Sequence, residues 1–367
     1  MSRRSSSATV LCLVLIALLP TLLHPQPARG AETTREFTLK TSSLYVGNLI
    51  GAVDVRPGTG DAFRVAVRLQ GDEEAIAMID LQQESNALRI VFPLDRHLKY
   101  VYPELGSGFR VSTGIRAETR EEKSWLRRTF GHFKERQLTV RGSGEGLEVW
   151  ADVVIEVPSG RALTLRHGVG AITAGSLQAD VDLESSYGPI TVESLEGELR
   201  ADTGSGEVRL SRVDGDIDVD TGSGDVDLRD CKGGRVKLDT GSGEVMVAAL
   251  ECRSLAIDTG SGNVRATGVA VEQADIDTGS GDVTLGLDRM GSGRFKVDTG
   301  SGGVELELPP DASADIVADT GSGDIQADVP GAELEKLDGG RRRLVVGDGA
   351  ADVLLDTGSG SITVRSR

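Results

Sequence analysis

The sequence predicts an all-β fold, a parallel β-solenoid (single-stranded β-helix), and three observations carry that reading. The pentapeptide Asp-Thr-Gly-Ser-Gly occurs eight times, starting at Asp202, Asp220, Asp239, Asp258, Asp277, Asp298, Asp319 and Asp356, with spacings of 18, 19, 19, 19, 21, 21 and 37 residues. A fixed period of this size marks a stacked repeat array. Apolar residues alternate on both sides of every copy, as in Ile217 and Val219 before Asp220 and Val226 and Leu228 after it. Period two on both sides of a Gly-rich corner means two short strands per repeat, each turning one face inward. Aromatics are few, 13 in 367 residues, which suits a narrow interior of like side chains.

Residues 1–30 read as a secretory signal peptide. Arg3 and Arg4 precede an apolar run from Val10 to Leu23, and Ala28-Arg29-Gly30 supplies small residues before a cleavage point at Ala31. The expectation is an exported protein, periplasmic, cell-surface or secreted, with no transmembrane span in the mature chain.

Residues 31–160 read as an irregular β cap for the solenoid end, with strands at Glu36 to Leu39, Ala52 to Val55, Phe63 to Leu69, Leu88 to Pro93, Leu138 to Val140 and Val149 to Val157. The stretch Tyr45 to Val55 has the pattern of an early, irregular turn. Inside this region, residues 96–141 hold eleven Lys or Arg against five Glu and six aromatics, Tyr100, Tyr102, Phe109, Trp125, Phe130 and Phe133. Thr119-Arg120-Glu121-Glu122 has the form of a capping box opening a short inserted helix. Such a helix puts Trp125, Phe130 and Phe133 on one face with Arg127, Arg128 and Lys134 around it. Those six are the candidate binding residues, for an anionic glycan, another surface protein or an envelope component. The competing reading is a helix docked by its aromatic face onto the solenoid.

From residue 161 to 367 the period gives about eleven turns of 18–21 residues, counting Asp338-Gly339-Gly340 as a degenerate copy that splits the 37-residue gap. At ~4.8 Å per turn the rod is roughly 50 Å long. The corner residues explain themselves mechanically: glycine supplies positive φ, and Asp, Thr and Ser bond the nearby backbone. The eight turn acids are therefore read as structural, with backbone N–H and Thr or Ser hydroxyls as their expected donors. Arg365 and Arg367 on the last strand read as charged guards against edge pairing. Cys231 and Cys252 lie in comparable return loops of adjacent turns, so a disulfide between them is expected, with a pair of free thiols as the competing reading.

The tract Val153 to Val157 with Pro158-Ser159-Gly160, then Gly170-Ala171-Ile172, the Thr-Gly-Ser-Gly-Asp-Val repeats and Val346-Gly347-Asp348-Gly349 before the last copy resemble the bacterial putative-adhesin family of β-strand-repeat domains. That resemblance covers roughly residues 36 to 366 and implies an exported, envelope-associated β-solenoid without known catalysis. Segment 96–141 is an insertion relative to the family's compact N-terminal part.

Other chemistries fit less well. Asp-Thr-Gly-Ser also matches the aspartic-protease motif, but that site needs one pair of carboxylates sharing a proton, and evenly spaced copies single out no pair. A β-helix polysaccharide-active enzyme, the remote alternative, uses a local cluster of unlike residues, whereas these turns are nearly uniform. A calcium-stabilised repeat module is the main alternative, although calcium β-rolls place the acid two residues after the Gly-x-Gly and here Val226, Val245 or Val264 stands there. A net charge of -17 opposes nucleic-acid binding. The chain is thus expected to be non-enzymatic and to need no cofactor.

Overall fold

The computed structural model describes residues 30–114 and 137–367. Each described Asp-Thr-Gly-Ser-Gly copy forms a corner between a strand ending on its Thr and a strand opening two residues past its second Gly. Successive turns pair in parallel and in register: Leu199–Thr203 lies on Ile217–Thr221 with Asp202 opposite Asp220, and Asp220, Asp239, Asp258, Asp277 and Asp298 follow in one column. The fold is the parallel β-solenoid that the period requires, and its inward columns are buried aliphatic ladders. Where Phe295 enters the ladder its neighbour is Ala274, so a large side chain is accommodated by a small one in the adjacent turn.

Each turn has a third, short side that the two-strand reading omits. Ser176, Ser194, Arg212, Asp230 and Ala249 stand in one corner column with φ of 58, 59, 53, 53 and 55°. This left-handed kink turns the next residue inward, giving a buried column of Leu177, Leu195, Val213, Cys231, Leu250 and Val269. Its signal was present: an apolar residue follows by eleven positions at Asp202, Asp220, Asp239 and Asp258.

The order of turns breaks after Asp298. Strand Ala351–Thr357 pairs in parallel with Arg294–Thr299 on one side and with Ala314–Thr320 on the other, placing Asp356 between Asp298 and Asp319. Ile362–Ser366 likewise lies between Val304–Leu308 and Ile325–Asp328. Asp338-Gly339-Gly340 is therefore not a solenoid turn. It is a 3-10 turn within an excursion in which Arg342–Val346 runs antiparallel onto Ala314–Thr320 and Leu334–Lys336 runs antiparallel onto Arg342–Val346.

Side-chain size and charge account for this order. The Asp356 turn brings Val353, Leu355, Ile362 and Val364, all buried, whereas the Asp319 turn brings a buried Ile316 but Ala318 and Ala327 where the other has Leu355 and Val364, and a half-buried Ile325. Putting the larger apolar set inside removes more surface from water. Arg365 and Arg367 do not guard an edge; Arg365 pairs with Glu305, and Arg367 pairs with Asp288 and with Glu307 at 2.9 Å. The outermost strand at this end is the three-residue Leu334–Lys336, short and exposed, a form that discourages edge pairing.

At the other end, Ser43–Ile50 and Val53–Gly58 form the early turn expected from Tyr45 to Val55, with Ile50 opposite Val169 and Val53 opposite Ile172. Val53–Gly58 lies between Leu147–Pro158 and Ile172–Tyr187. Phe63–Gly71 then packs antiparallel between Leu147–Pro158 and Ala31–Leu39. Phe63, Phe92 and Tyr100 are fully buried here, Phe92 and Tyr100 edge to face at 5.8 Å. A four-residue helix, Glu73–Ile76, sits against the cap and was not read from the sequence. No helix among the described residues is long and apolar enough to cross a membrane.

Candidate functional site

The corner column is built on the threonine rather than on the aspartate. Thr259 Oγ1 donates to the Gly243 carbonyl of the preceding turn at 3.2 Å and accepts the N–H of Gly262 in its own turn at 3.1 Å. Thr278, Thr299, Thr357 and Thr320 repeat this, and the partners follow the order of turns in space: Thr299 to Gly281, Thr357 to Gly302, Thr320 to Gly360. All but Thr320 are about 1% exposed. Glycine at the second position is dictated by close approach and not, as expected, by positive φ, which no glycine of these corners adopts: a Cβ on Gly262 would stand 1.6 Å from the Gly243 carbonyl oxygen.

The corner threonine hydroxyls are thereby used, which corrects the expectation that they serve the acids. The turn acids point outward in one in-register column. Burial first, then the neighbouring carboxylates, push Asp202, Asp220, Asp258 and Asp356 above the usual range. Lysines offset part of this: Lys296 lies 3.7 Å from Asp277 and 3.3 Å from Asp298, and Lys237 lies 3.5 Å from Asp239. Backbone N–H groups are instead accepted by the residue just past the motif. Asp225 takes the N–H of Glu244 at 2.8 Å, Asn263 that of Asp282 at 2.9 Å and Asp282 that of Gly303 at 2.8 Å. Among the described residues no group of three or more His, Cys, Asp or Glu converges as a metal site.

Toward the cap the threonine column continues as Ser185, His167 and Asn48, each about 2% exposed or less. Asn48 Nδ2 donates to the Ala151 carbonyl at 2.8 Å. Neither ring nitrogen of His167 makes a well-formed hydrogen bond. Burial pushes its pKa down to about 4, with the backbone of Gly51, Asn48 and Val169 and the charge of Asp152 opposing the shift without cancelling it.

On the third side the left-handed column borders an open groove of about 660 Å³. Its polar walls largely bond one another: Ser159 Oγ donates to Gln178 at 3.0 Å, Gln178 donates to Glu196 at 2.9 Å, and Arg212 donates to Ser194 at 3.0 Å and pairs with Glu193.

The expected binding residues Trp125, Arg127, Arg128, Phe130, Phe133 and Lys134 lie outside the described residues, as do the helix reading and the leader. Their anchors are described. Strands Arg110–Gly114 and Gln137–Arg141 are antiparallel neighbours with Gly114 opposite Gln137, so residues 115–136 connect two adjacent strands at the cap. Of the other aromatics in that insertion, Tyr100 and Tyr102 are cap core, while Phe109 is 61% exposed.

The structure does not join Cys231 and Cys252. Cys231 stands opposite Leu250 and Cys252 opposite Gly233, a two-residue offset that, with one step of ~4.8 Å between turns, separates the Cα atoms by about 8 Å, beyond disulfide reach. Both thiols are buried, and Cys231 Sγ donates to the Arg229 carbonyl at 3.2 Å.

A parallel β-solenoid whose corners are joined by a threonine–glycine ladder places the chain among β-solenoid repeat proteins. Residues 151–365 match the Toastrack DUF4097 family model, and the chain belongs to that family. No curated protein matches it. Among solved structures it is similar to a "putative cell adhesion protein" of Clostridium sporogenes (10% identity over 91% of this chain and 100% of that one, TM-score 0.17). It is also similar to a "putative adhesin" of Bacteroides fragilis (13%, 92% and 97%, TM-score 0.31) and a "putative lipid binding protein" of Parabacteroides distasonis (12%, 91% and 97%, TM-score 0.34).

Proposed function

We propose that this protein is an exported, non-enzymatic β-solenoid serving as an adhesin-like or envelope-interaction scaffold, and that segment 96–141 carries the contact through Trp125, Arg127, Arg128, Phe130, Phe133 and Lys134. One observation supports this most: residues 115–136 of that segment, which hold all six, connect two neighbouring cap strands, Gly114 opposite Gln137. The cationic and aromatic residues Trp125, Arg127, Arg128, Phe130, Phe133 and Lys134 thus belong to a segment that begins and ends at the cap of an otherwise acidic chain. Positive charge and aromatic faces together hold anionic glycan or lipid headgroups through charge and stacking, and such binding weakens with salt. The test measures association with whole cells and isolated envelope fractions for wild type and for Trp125→Ala, Arg127→Glu, Arg128→Glu combined, after circular dichroism shows equal folding. Loss of binding is expected; unchanged binding by the folded variant rejects the reading.

A calcium-stabilised structural module is the second reading, favoured by the in-register acid column with its raised carboxyl pKa values. Thermal melts with chelator and with calcium separate the two. Coincident melts support the scaffold without metal, and a large calcium-dependent rise supports the module.

A further inference from the structure

We infer that the strand pair Ala351–Thr357 and Ile362–Ser366 is an exchangeable turn, and that the slot holding it accepts the same strand pair from a second copy of this chain. The slot has two walls. One is Arg294–Thr299 with Val304–Leu308, the other Ala314–Thr320 with Ile325–Asp328, and the guest is paired in parallel to both. Thr357 Oγ1 donates to Gly302 at 2.7 Å on one wall, and Thr320 Oγ1 donates from the other wall to Gly360 at 2.8 Å. Backbone bonds close both interfaces: the N–H of Val304 donates to Ser361 and that of Ile362 donates to Asp324, each at 2.9 Å.

The strand pairings and threonine bonds that fix the guest therefore come from the two walls, which precede it in the chain. Arg365 and Arg367 address it to this slot through Glu305, Glu307 and Asp288. An identical segment from another copy satisfies all of these contacts equally, which is the condition for strand exchange between copies. The covalent link back to the second wall is a tight crossover, Gly347-Asp348-Gly349-Ala350. Both glycines there are left-handed, at φ 56 and 68°, and the Asp348 and Ala350 N–H groups both donate to Ser313 Oγ at 3.1 Å. A short crossover of this kind sits where a hinge opens in exchange. The repeat motif adds a reason for the slot to open and close: without the guest, the Asp319 turn carries the same corner residues and has the means to stack directly on the Asp298 turn.

The test uses Gln326 and Thr363, which face each other across the guest and one wall and take part in no ion pair. Adjacent parallel strands bring Cα atoms within disulfide range. Two differently tagged full-length chains, one Gln326→Cys and one Thr363→Cys, are co-expressed and oxidised, beside a single chain carrying both substitutions. A mixed disulfide joining the two tags is the expected result. Cross-linking within the double variant while the co-expressed pair stays unlinked overturns the exchange, and failure of the double variant to cross-link overturns the slot itself. A second variant lacking Asp348 and Gly349 cannot span the crossover: sedimentation as a dimer is expected, and a folded monomer overturns the proposal.

Discussion

Thr357 donates its hydroxyl proton to the Gly302 carbonyl at 2.7 Å although 55 residues separate them, while the equivalent bonds from Thr278 and Thr259 span 16. The same chemical unit is made by a neighbour in sequence and by a distant segment alike, so the threonine–glycine bond belongs to stacking and not to local turn formation.

The threonine is accordingly expected to matter more than its polar, Gly-rich setting suggests. Thr259→Val keeps volume but strands the buried Gly262 N–H and removes the donor to Gly243, which costs about 1–3 kcal/mol. Thr259→Ser retains both bonds. Urea midpoints of the two variants check this, and equal midpoints contradict it.

Next to it, Asp258 behaves oppositely. Burial and then Asp239 and Asp277 raise its pKa, so the folded state favours the neutral form and loses stability as pH rises through that raised value. Asp258→Asn should melt at or above the wild-type temperature. Ile257→Asp, at a site 2% exposed between Leu238 and Ile276, buries an unpaired charge and costs several kcal/mol. Calorimetry on both variants compares them directly.

His167 gives the junction between cap and rod a pH dependence. Its folded pKa of about 4 lies below the unfolded value of 6.5, so the unfolded chain takes up the proton first. Stability from this group is full above pH ~6.5 and is lost as pH falls toward 4, by about 3 kcal/mol in total. His167→Thr restores the column's usual residue and should remove this component. Denaturation midpoints of the two proteins from pH 7 to pH 4 should diverge steadily; parallel curves would show that the ring is not buried neutral.

The cysteines should remain thiols. Desolvation raises Cys231 and pushes Cys252 up to about 12, leaving little thiolate in the folded protein. Non-reduced protein beginning at Ala31 and treated with iodoacetamide should gain no label when folded and two labels when unfolded, read by mass spectrometry. An unlabelled unfolded chain would mean that the two are bonded.

By itself the sequence determined what happens inside one turn. Alternation settled which residues of the two longer sides face inward, the glycines marked the corner between them, and Tyr45 to Val55 was legible as an irregular early turn because it keeps the same alternation; the third side, cornered at non-glycine residues such as Arg212 and Asp230, was not read. These are consequences of backbone geometry over a few residues, and they do not depend on neighbours. Only the tertiary structure decided which turn lies on which. Since the eight corners are chemically alike, spacing cannot distinguish Asp319 from Asp356 as the neighbour of Asp298, and the choice fell to the larger apolar set of Val353, Leu355, Ile362 and Val364 and to the acids awaiting Arg365 and Arg367. The fate of the cysteines was decided in the same way. Cys231 and Cys252 occupy matching loops in the linear repeat, but the left-handed kink at Asp230 assigns Cys231 to the inward column of Val213 and Leu250, two residues out of step with Cys252.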